Sequence, residues 1–219
     1  MPGLFVFDMD GVIIDSEPLW RIAMVKVFNS SGLPVDADTC AQTTGMRIDE
    51  VIKHWNKKNP FTDNEPQVQR DIEEELCKLI VDHGKAMPGF LDAIELIKKQ
   101  DRKVALATSS SERLVECVLN TLSIKDHFSH VQSAEKLAYG KPHPEVFLLC
   151  AHAADHHPSN CVAIEDSLNG IISAKASGMK VIAVPEEKNW HNPKFVIADM
   201  ILRSLEEFNL DTIQKIKHL

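Results

Sequence analysis

The sequence predicts an α/β fold, a doubly wound parallel sheet with a Rossmann-like core and an inserted all-helical segment. Short apolar runs of strand length alternate with helical patterns along most of the 219 residues, and such alternation produces parallel, right-handed βαβ units. The first apolar run has no polar position, as expected for a strand buried on both faces. Residues 17–83, in contrast, hold helical stripes that no strand-like run interrupts.

The opening strand indicates where a functional site lies. Residues 4–7 form the apolar run, and Asp8 and Asp10 follow it before Gly11. In open α/β sheets, ligands bind just outside the carboxyl ends of the strands. An apolar core does not accept unpartnered carboxylates, so both acids must be solvated, paired or bound to a metal. An Asx turn would explain Asp10 and Gly11, but it leaves Asp8 without a role.

The segment after this strand has a helical pattern. Residues 15–18 combine capping residues with a proline suited to a first helical turn, and the apolar spacing that follows ends at Gly32. Two more stripes recur at helical spacing, around residues 48–55 and 68–80. We therefore expect residues 17–83 to be a helical domain, inserted into a main domain formed by residues 1–16 and 84–219.

A second strand of the main domain ends in a hydroxyl. Residues 103–108 form an apolar run that ends at Thr108. The next four residues, Ser109 to Glu112, match the capping box that opens a helix. The free backbone amides of that helix should point toward the end of the strand, which is a favourable position for an anion.

A third strand ends in acid. Residues 160–166 form an apolar run that ends at Glu165 and Asp166, and Ser167 is suited to cap the following helix. Between these two strands, a proline-rich loop carries Lys141. The remaining strands are expected near residues 130–134, 180–185 and 199–202, with helices between them and a short helix at the end.

These strand ends should meet at one edge of the sheet. Three carboxylates in one crevice repel each other unless a cation lies among them. Oxygen ligands alone suit Mg²⁺, which completes its octahedron with water and substrate phosphate. Lys141 and the helix that follows Thr108 would then bind the anionic part of a ligand.

The composition and net charge of the chain limit the kinds of molecule that it is expected to bind. The formal net charge is −8 and the basic residues are scattered, which argues against a nucleic-acid or anionic-membrane surface. No charged-then-apolar leader or membrane-length apolar span is found, so we expect a cytoplasmic protein, and nothing demands more than a monomer. Five cysteines without a C-x-x-C pair predict free, buried thiols rather than disulfides or zinc ligands: Cys40, Cys77, Cys117, Cys150 and Cys161.

Four motifs together resemble the haloacid dehalogenase superfamily, in its phosphatase and phosphomutase branch. They occur in the family's order and span nearly the whole chain: residues 8–12 (DMDGV), 108–109 (TS), 141–142 (KP) and 165–170 (EDSLNG). The helical segment is similar to the family's small cap domain. Residues 15–20, 45–49 and 133–137 further resemble bacterial phosphatases of hexitol phosphates and 2-deoxyglucose-6-phosphate.

This resemblance implies an aspartyl-phosphate mechanism. Asp8 would be the nucleophile that attacks phosphorus. Asp10 would protonate the leaving sugar oxygen and later deprotonate the attacking water. The substrate implied is a small phosphorylated sugar or sugar alcohol.

The resemblance also implies the groups that bind metal and phosphate. Mg²⁺ would be held by a carboxylate oxygen of Asp8, the backbone carbonyl of Asp10 and the carboxylate of Asp166. The phosphate oxygens would be bound by Thr108, the amide of Ser109 and Lys141. Glu165 would support these groups without binding the metal. A purely structural role for Glu165 is an equal alternative.

Four residues of the helical segment are candidate substrate contacts: Glu17, Trp20, Gly45 and Arg47. For Trp20, packing in the cap or the core is an equal alternative to contact with the substrate. For Arg47, capping a helix is slightly favoured over contact with the sugar.

Three other functions share part of this pattern. A sugar phosphomutase of the β-phosphoglucomutase type shares the core and cap, but it uses a cap-side histidine where this chain has Trp20. A dehalogenase needs neither Mg²⁺ nor the second aspartate, so Asp10 and Asp166 argue against it. A non-enzymatic phosphosugar sensor is disfavoured because no essential residue is missing.

Overall fold

The structure is a computed structural model that describes residues 2–43 and 46–218, the last without its side chain. In the described part of the chain, one sheet contains all six strands: β1 (Leu4–Phe7), β2 (Lys103–Thr108), β3 (His130–Ser133), β4 (Cys161–Glu165), β5 (Lys180–Ala183) and β6 (Met200–Ile201). The strand order is β3-β2-β1-β4-β5-β6, and every pairing is parallel. The predicted α/β class and doubly wound sheet are confirmed.

The helices follow the sequence pattern closely. They are α1 (Glu17–Ser30), α2 (Ala37–Ala41), α3 (Ile48–Lys58), α4 (Glu65–His83), α5 (Phe90–Lys99), α6 (Glu112–Thr121), α7 (Glu145–Ala153), α8 (Leu168–Ala176) and α9 (Leu210–His218). The short helix α2 was not predicted, because five residues are too few to show an apolar period.

Strand β1 is the centre of the core because both of its faces are covered. Its four residues are fully buried, and successive side chains enter two different apolar clusters. Phe5 and Phe7 pack with the helices on one face, where Phe7 meets Phe90 edge to face at 5.7 Å. Leu4 and Val6 pack with the other cluster, which includes Phe147. This alternation is the physical reason that the strand has no polar position.

Residues 17–83 contain helices and loops, with no strand among those of them that the structure describes. Helices α1 and α4 pack along each other, and Phe28 meets Phe61 edge to face at 5.6 Å. The helical character of the segment is therefore as expected, whereas its boundaries as a separate domain stay a prediction. No helix within the described ranges is long and apolar enough to cross a membrane.

The structure corrects the expectation that all five cysteines are free. Cys77 of α4 and Cys117 of α6 form a disulfide whose Cα atoms are 6.2 Å apart, which is within the usual range for this bond. Cys40, Cys150 and Cys161 are free and buried. The pairing was not visible in the sequence, because its two residues are separated by 40 positions and meet only through the packing of α4 on α6.

The disulfide predicts the thiol content of the chain. Protein purified without reductant and then denatured should react with a thiol reagent at three cysteines, because Cys77 and Cys117 are oxidised. The variant Cys77→Ser should show four reactive thiols, since Cys117 loses its partner. Five reactive thiols in the unreduced wild-type chain would contradict the pairing.

Candidate active site

The carboxyl ends of three neighbouring strands bring the predicted residues together. Strand β1 lies between β2 and β4, and Phe7 is in register with Leu106 on one side and with Ile164 on the other. The residues that follow therefore leave the sheet side by side. Together with Lys141, from the loop between β3 and α7, they line one side of a cavity: Asp8, Asp10, Thr108, Ser109, Ser110, Lys141, Asp166 and Ser167.

Residues of the helical segment form the opposite side of this cavity: Glu17, Trp20, Met24, Thr43, Met46, Ile48 and Val51. Of these residues, only Glu17 and Trp20 are predicted from the sequence as substrate contacts. The apolar members were missed because, in the sequence, a side chain that lines a cavity has the same helical spacing as one that packs in the core.

Lys141 is the central cation of the site. Its ammonium donates to Oδ1 of Asp8 at 2.8 Å, to Oε1 of Glu165 at 2.6 Å and to the carbonyl oxygen of Ala107 at 3.1 Å. The side chain is only 3 % exposed, and that of Glu165 is fully buried. Because the three partners come from the ends of β1, β2 and β4, this one ammonium connects all three strands.

Burial and charge shift the pKa values in this network. Burial, together with the charge of Glu165, raises the pKa of Asp8 to about 7, although Lys141 acts in the opposite direction. Burial and the charges of Glu165 and Asp8 raise the pKa of Asp166 well above its usual value. Burial would lower the pKa of Lys141, but the carboxylates of Asp8 and Glu165 outweigh it and raise that pKa.

The acidic residues form a group that fits a divalent cation. Carboxylate oxygens of Asp8, Glu165 and Asp166 lie within 4.8 Å of one another, and all three residues are buried. Among the described ion pairs, Lys141 is the one cation that contacts this group, through Asp8 and Glu165, so negative charge is in excess. An all-oxygen donor set with excess negative charge suits Mg²⁺, and a bound ion would offset the repulsion that raises the carboxylate pKa values.

Glu165 is already engaged with protein groups. Its Oε1 accepts from Lys141 at 2.6 Å, and its Oε2 lies 3.3 Å from Oγ of Ser167. A Cβ atom at Gly170 would come within 2.1 Å of this carboxylate, so any larger residue where α8 passes over it would displace the Glu165 side chain. These contacts agree with Glu165 supporting the site while Asp8 and Asp166 face the cavity.

Asp10 is held by three donors, of which Trp20 and Ser110 line the cavity. Its Oδ1 accepts from Oγ of Ser16 at 2.5 Å and from Nε1 of Trp20 at 2.9 Å. Its Oδ2 accepts from Oγ of Ser110 at 2.6 Å. Ser16 occupies the N-cap position of α1 but makes no capping bond with its side chain. From the sequence, Ser16 is expected to cap α1. In the structure, its hydroxyl donates to Asp10 instead.

The loop after β2 presents hydrogen-bond donors to the cavity. Oγ1 of Thr108 accepts from the backbone N–H of Ser110 at 3.1 Å. The hydroxyl of Ser109 is buried and has no partner among the described residues. Ser111 caps α6 through its side chain, which accepts from the N–H of Leu114. A buried hydroxyl without a partner is costly, so Ser109 is suited to bind a ligand oxygen.

The remaining candidates of the helical segment have different positions. Glu17 and Trp20 line the cavity, and Gly45 lies outside the described residues. Arg47 precedes α3 and donates to the carbonyl oxygens of Ala134 and Leu137 at 3.1 and 2.7 Å. Its guanidinium also pairs with Asp49, so it joins the helical segment to the loop that leads to Lys141.

Comparison with known proteins places the chain in a family. Residues 5–184 match the family described as haloacid dehalogenase-like hydrolase. Hexitol phosphatase B of Escherichia coli is 40 % identical over 206 residues, which cover 92 % of each chain.

Solved structures share the fold over the whole chain. CbbY from Rhodobacter sphaeroides, in complex with phosphate, superposes with a TM-score of 0.90 at 26 % identity and covers 98 % of this chain and 100 % of its own. The β-phosphoglucomutase of Clostridium difficile gives a TM-score of 0.85 at 26 % identity and covers 100 % and 98 %. The resemblance in the sequence is confirmed at the level of family and fold.

Replacing Lys141 should destabilise the fold, because two buried carboxylates would lose their partner. We expect Lys141→Met, which keeps the length of the side chain, to lower the free energy of unfolding by about 3 kcal/mol at neutral pH in the presence of EDTA. Urea titration followed by circular dichroism would measure it.

The matched control is Lys136→Met, which removes an ammonium that pairs with Glu112 at the surface, where both side chains are largely exposed. This variant should leave the urea midpoint almost unchanged. Equal effects of the two substitutions would contradict the structural role of Lys141.

Proposed function

Because the chain belongs to the family of haloacid dehalogenase-like hydrolases, we propose that it is a magnesium-dependent phosphatase. Its substrates in this proposal are small sugar or sugar-alcohol phosphates, and Asp8 carries the phosphoryl group between two steps. The observation that carries the proposal is the position of Asp8, which lines the cavity while Lys141 binds its Oδ1. A buried carboxylate with one side anchored and the other facing a cavity is suited to act as a nucleophile.

In the first step, an oxygen of Asp8 attacks the phosphorus atom of the bound ester. The new Asp8–phosphorus bond forms while the bond from phosphorus to the sugar oxygen breaks. Asp10 gives its proton to that leaving oxygen and becomes a carboxylate. In the second step, Asp10 takes a proton from water, the water oxygen attacks phosphorus, and Asp8 and inorganic phosphate are released.

Positive charge and hydrogen-bond donors have to bind the phosphate, because the site is acidic. Lys141 offsets the charge of Asp8 and reduces its repulsion of an anionic substrate. The hydroxyl of Ser109, which has no partner among the described residues, and Thr108 are positioned at the cavity to donate to phosphate oxygens. The backbone amide of Ser109 is assigned to the same task.

Asp8, Asp166 and the backbone carbonyl of Asp10 would hold Mg²⁺. The acidic group of Asp8, Glu165 and Asp166 supports this assignment, and Glu165 is kept out of it because both of its oxygens contact protein groups. When bound, Mg²⁺ supplies positive charge that stabilises the transferring phosphoryl group.

We assign substrate selection to the helical segment, residues 17–83, as a cap over a core of residues 1–16 and 84–219. The cap side of the cavity combines the carboxylate of Glu17 with apolar side chains such as Met24 and Val51. Burial, with the charges of Asp10 and Glu186, raises the pKa of Glu17. A carboxyl group here can hydrogen bond sugar hydroxyls, and the likeness to hexitol phosphatase B supports a polyol substrate.

A sugar phosphomutase is the second candidate, because the β-phosphoglucomutase of Clostridium difficile shares the fold. Trp20 favours hydrolysis, since it occupies the place of the cap-side histidine of such mutases, and an indole N–H can only donate a hydrogen bond. A monomeric, cytoplasmic enzyme is part of this proposal, and the net charge of −8 argues against a nucleic-acid or anionic-membrane surface as its partner.

The nucleophile assignment predicts the effect of one substitution. Asp8→Asn should lower phosphate release from a hexitol phosphate by about a thousandfold or more, because an amide is a poor nucleophile. The matched control is Asp126→Asn, an exposed aspartate outside the site, which should retain wild-type activity. Asp8→Asn with wild-type turnover would contradict the mechanism.

The metal assignment predicts that chelation abolishes activity. Protein treated with EDTA should release no phosphate from hexitol, hexose or pentose phosphates, and added Mg²⁺ should restore the release. Full activity in EDTA would contradict the metal assignment.

The same screen distinguishes the second candidate function. Glucose-1-phosphate should give free phosphate if it reacts at all. Its conversion to glucose-6-phosphate without free phosphate would favour the mutase and contradict hydrolysis.

A further inference from the structure

The hydrogen bond from the indole of Trp20 to Asp10 differs from the other two bonds that Asp10 accepts. Ser16 and Ser110 reach Asp10 through hydroxyl groups, which can rotate and then accept a hydrogen bond instead of donating one. The indole N–H of Trp20 can only donate. Its partner, Oδ1 of Asp10 at 2.9 Å, therefore has to remain an acceptor for as long as this bond exists.

The two oxygens of Asp10 also face different parts of the site. Oδ1 is bonded to Ser16 and Trp20 at the start of the helical segment. Oδ2 is bonded to Ser110, which directly follows Thr108 and Ser109 in the loop assigned to the phosphate. Oδ2 therefore lies on the side of the loop that the proposed function assigns to the phosphate.

From this asymmetry we infer that Trp20 is a positioning residue for proton transfer. It fixes Oδ1 of Asp10 as an acceptor, so that Oδ2 is the oxygen that exchanges the proton with the substrate. The inference rests on the proposed phosphatase activity and adds a specific role to a side chain otherwise assigned to substrate contact or packing. In the first step, the proton leaves Oδ2 for the sugar oxygen as the phosphorus–oxygen bond breaks, and Oδ1 keeps its bond to the indole throughout.

Leaving-group chemistry separates this role from simple packing. A sugar alkoxide is a poor leaving group and needs the proton from Asp10, whereas p-nitrophenolate departs without one. The ratio kcat/KM reports only the steps up to the first irreversible one, which here is transfer of the phosphoryl group to Asp8. A loss of proton donation should therefore lower kcat/KM for a sugar phosphate but not for p-nitrophenyl phosphate.

The test compares Trp20→Phe with wild-type protein on both esters. This substitution removes the N–H and keeps an aromatic ring in the cavity. We expect kcat/KM for a hexitol phosphate to fall about tenfold, with less than about a twofold change for p-nitrophenyl phosphate. The matched control is Trp190→Phe, which removes an indole donor that binds the carbonyl oxygen of Pro185. In this variant, kcat/KM should remain at the wild-type value for both esters.

Other outcomes would overturn the inference. Equal losses for the two esters would mean that Trp20 only packs against the substrate or shapes the cavity, and no loss for either would mean that its N–H is not used. Wild-type protein that hydrolyses neither ester would overturn both the inference and the proposed function, whereas an active wild type limits the failure to Trp20.

A spectroscopic measurement covers the case in which Trp20→Phe does not fold. The chain has three tryptophans, so the indole N–H signal of Trp20 in a ¹⁵N-labelled sample can be assigned by elimination with Trp55→Phe and Trp190→Phe. We expect this signal to shift in Asp10→Asn, because its acceptor is altered. An identical Trp20 signal in wild-type and Asp10→Asn protein would overturn the inference.

Discussion

One buried ammonium group holds the candidate active site together. Lys141 contacts Asp8 after β1, the carbonyl oxygen of Ala107 in β2 and Glu165 at the end of β4. Burying such carboxylates without a partner would be very costly. The ion pairs therefore determine how closely the acids can approach, and the remaining excess of negative charge creates the demand for a further cation. In the proposed function, metal binding and phosphate binding both depend on this single charge balance.

In the proposed function, the chemistry and the selection of substrate belong to different parts of the chain. The acids and the lysine belong to strand ends and to the loops that follow them, which the parallel sheet holds in register. The opposite wall comes from helices of the inserted segment. Since a fold does not determine function by itself, proteins that share this sheet can differ in substrate through the residues of that wall.

Much of this site could be predicted from the sequence because polar residues directly follow apolar runs. Asp8, Thr108 and Asp166 are visible in this way, and the parallel sheet then brings them to one edge. The direction of a side chain, in contrast, cannot be predicted from the residues next to it in the sequence. Ser16 and Ser110 have the appearance of capping residues, yet their hydroxyls bind Asp10, and the pairing of Cys77 with Cys117 depends on how two distant helices pack.

The most direct test of the central claim is to locate the phosphoryl group during turnover. Enzyme mixed with Mg²⁺ and a hexitol phosphate, quenched in acid within one turnover and analysed by peptide mass spectrometry, should carry the phosphoryl group on Asp8. A phosphoryl group on another residue, or an actively turning-over enzyme with no covalent phosphoryl group at any time point, would contradict the role of Asp8 and the arrangement built around Lys141.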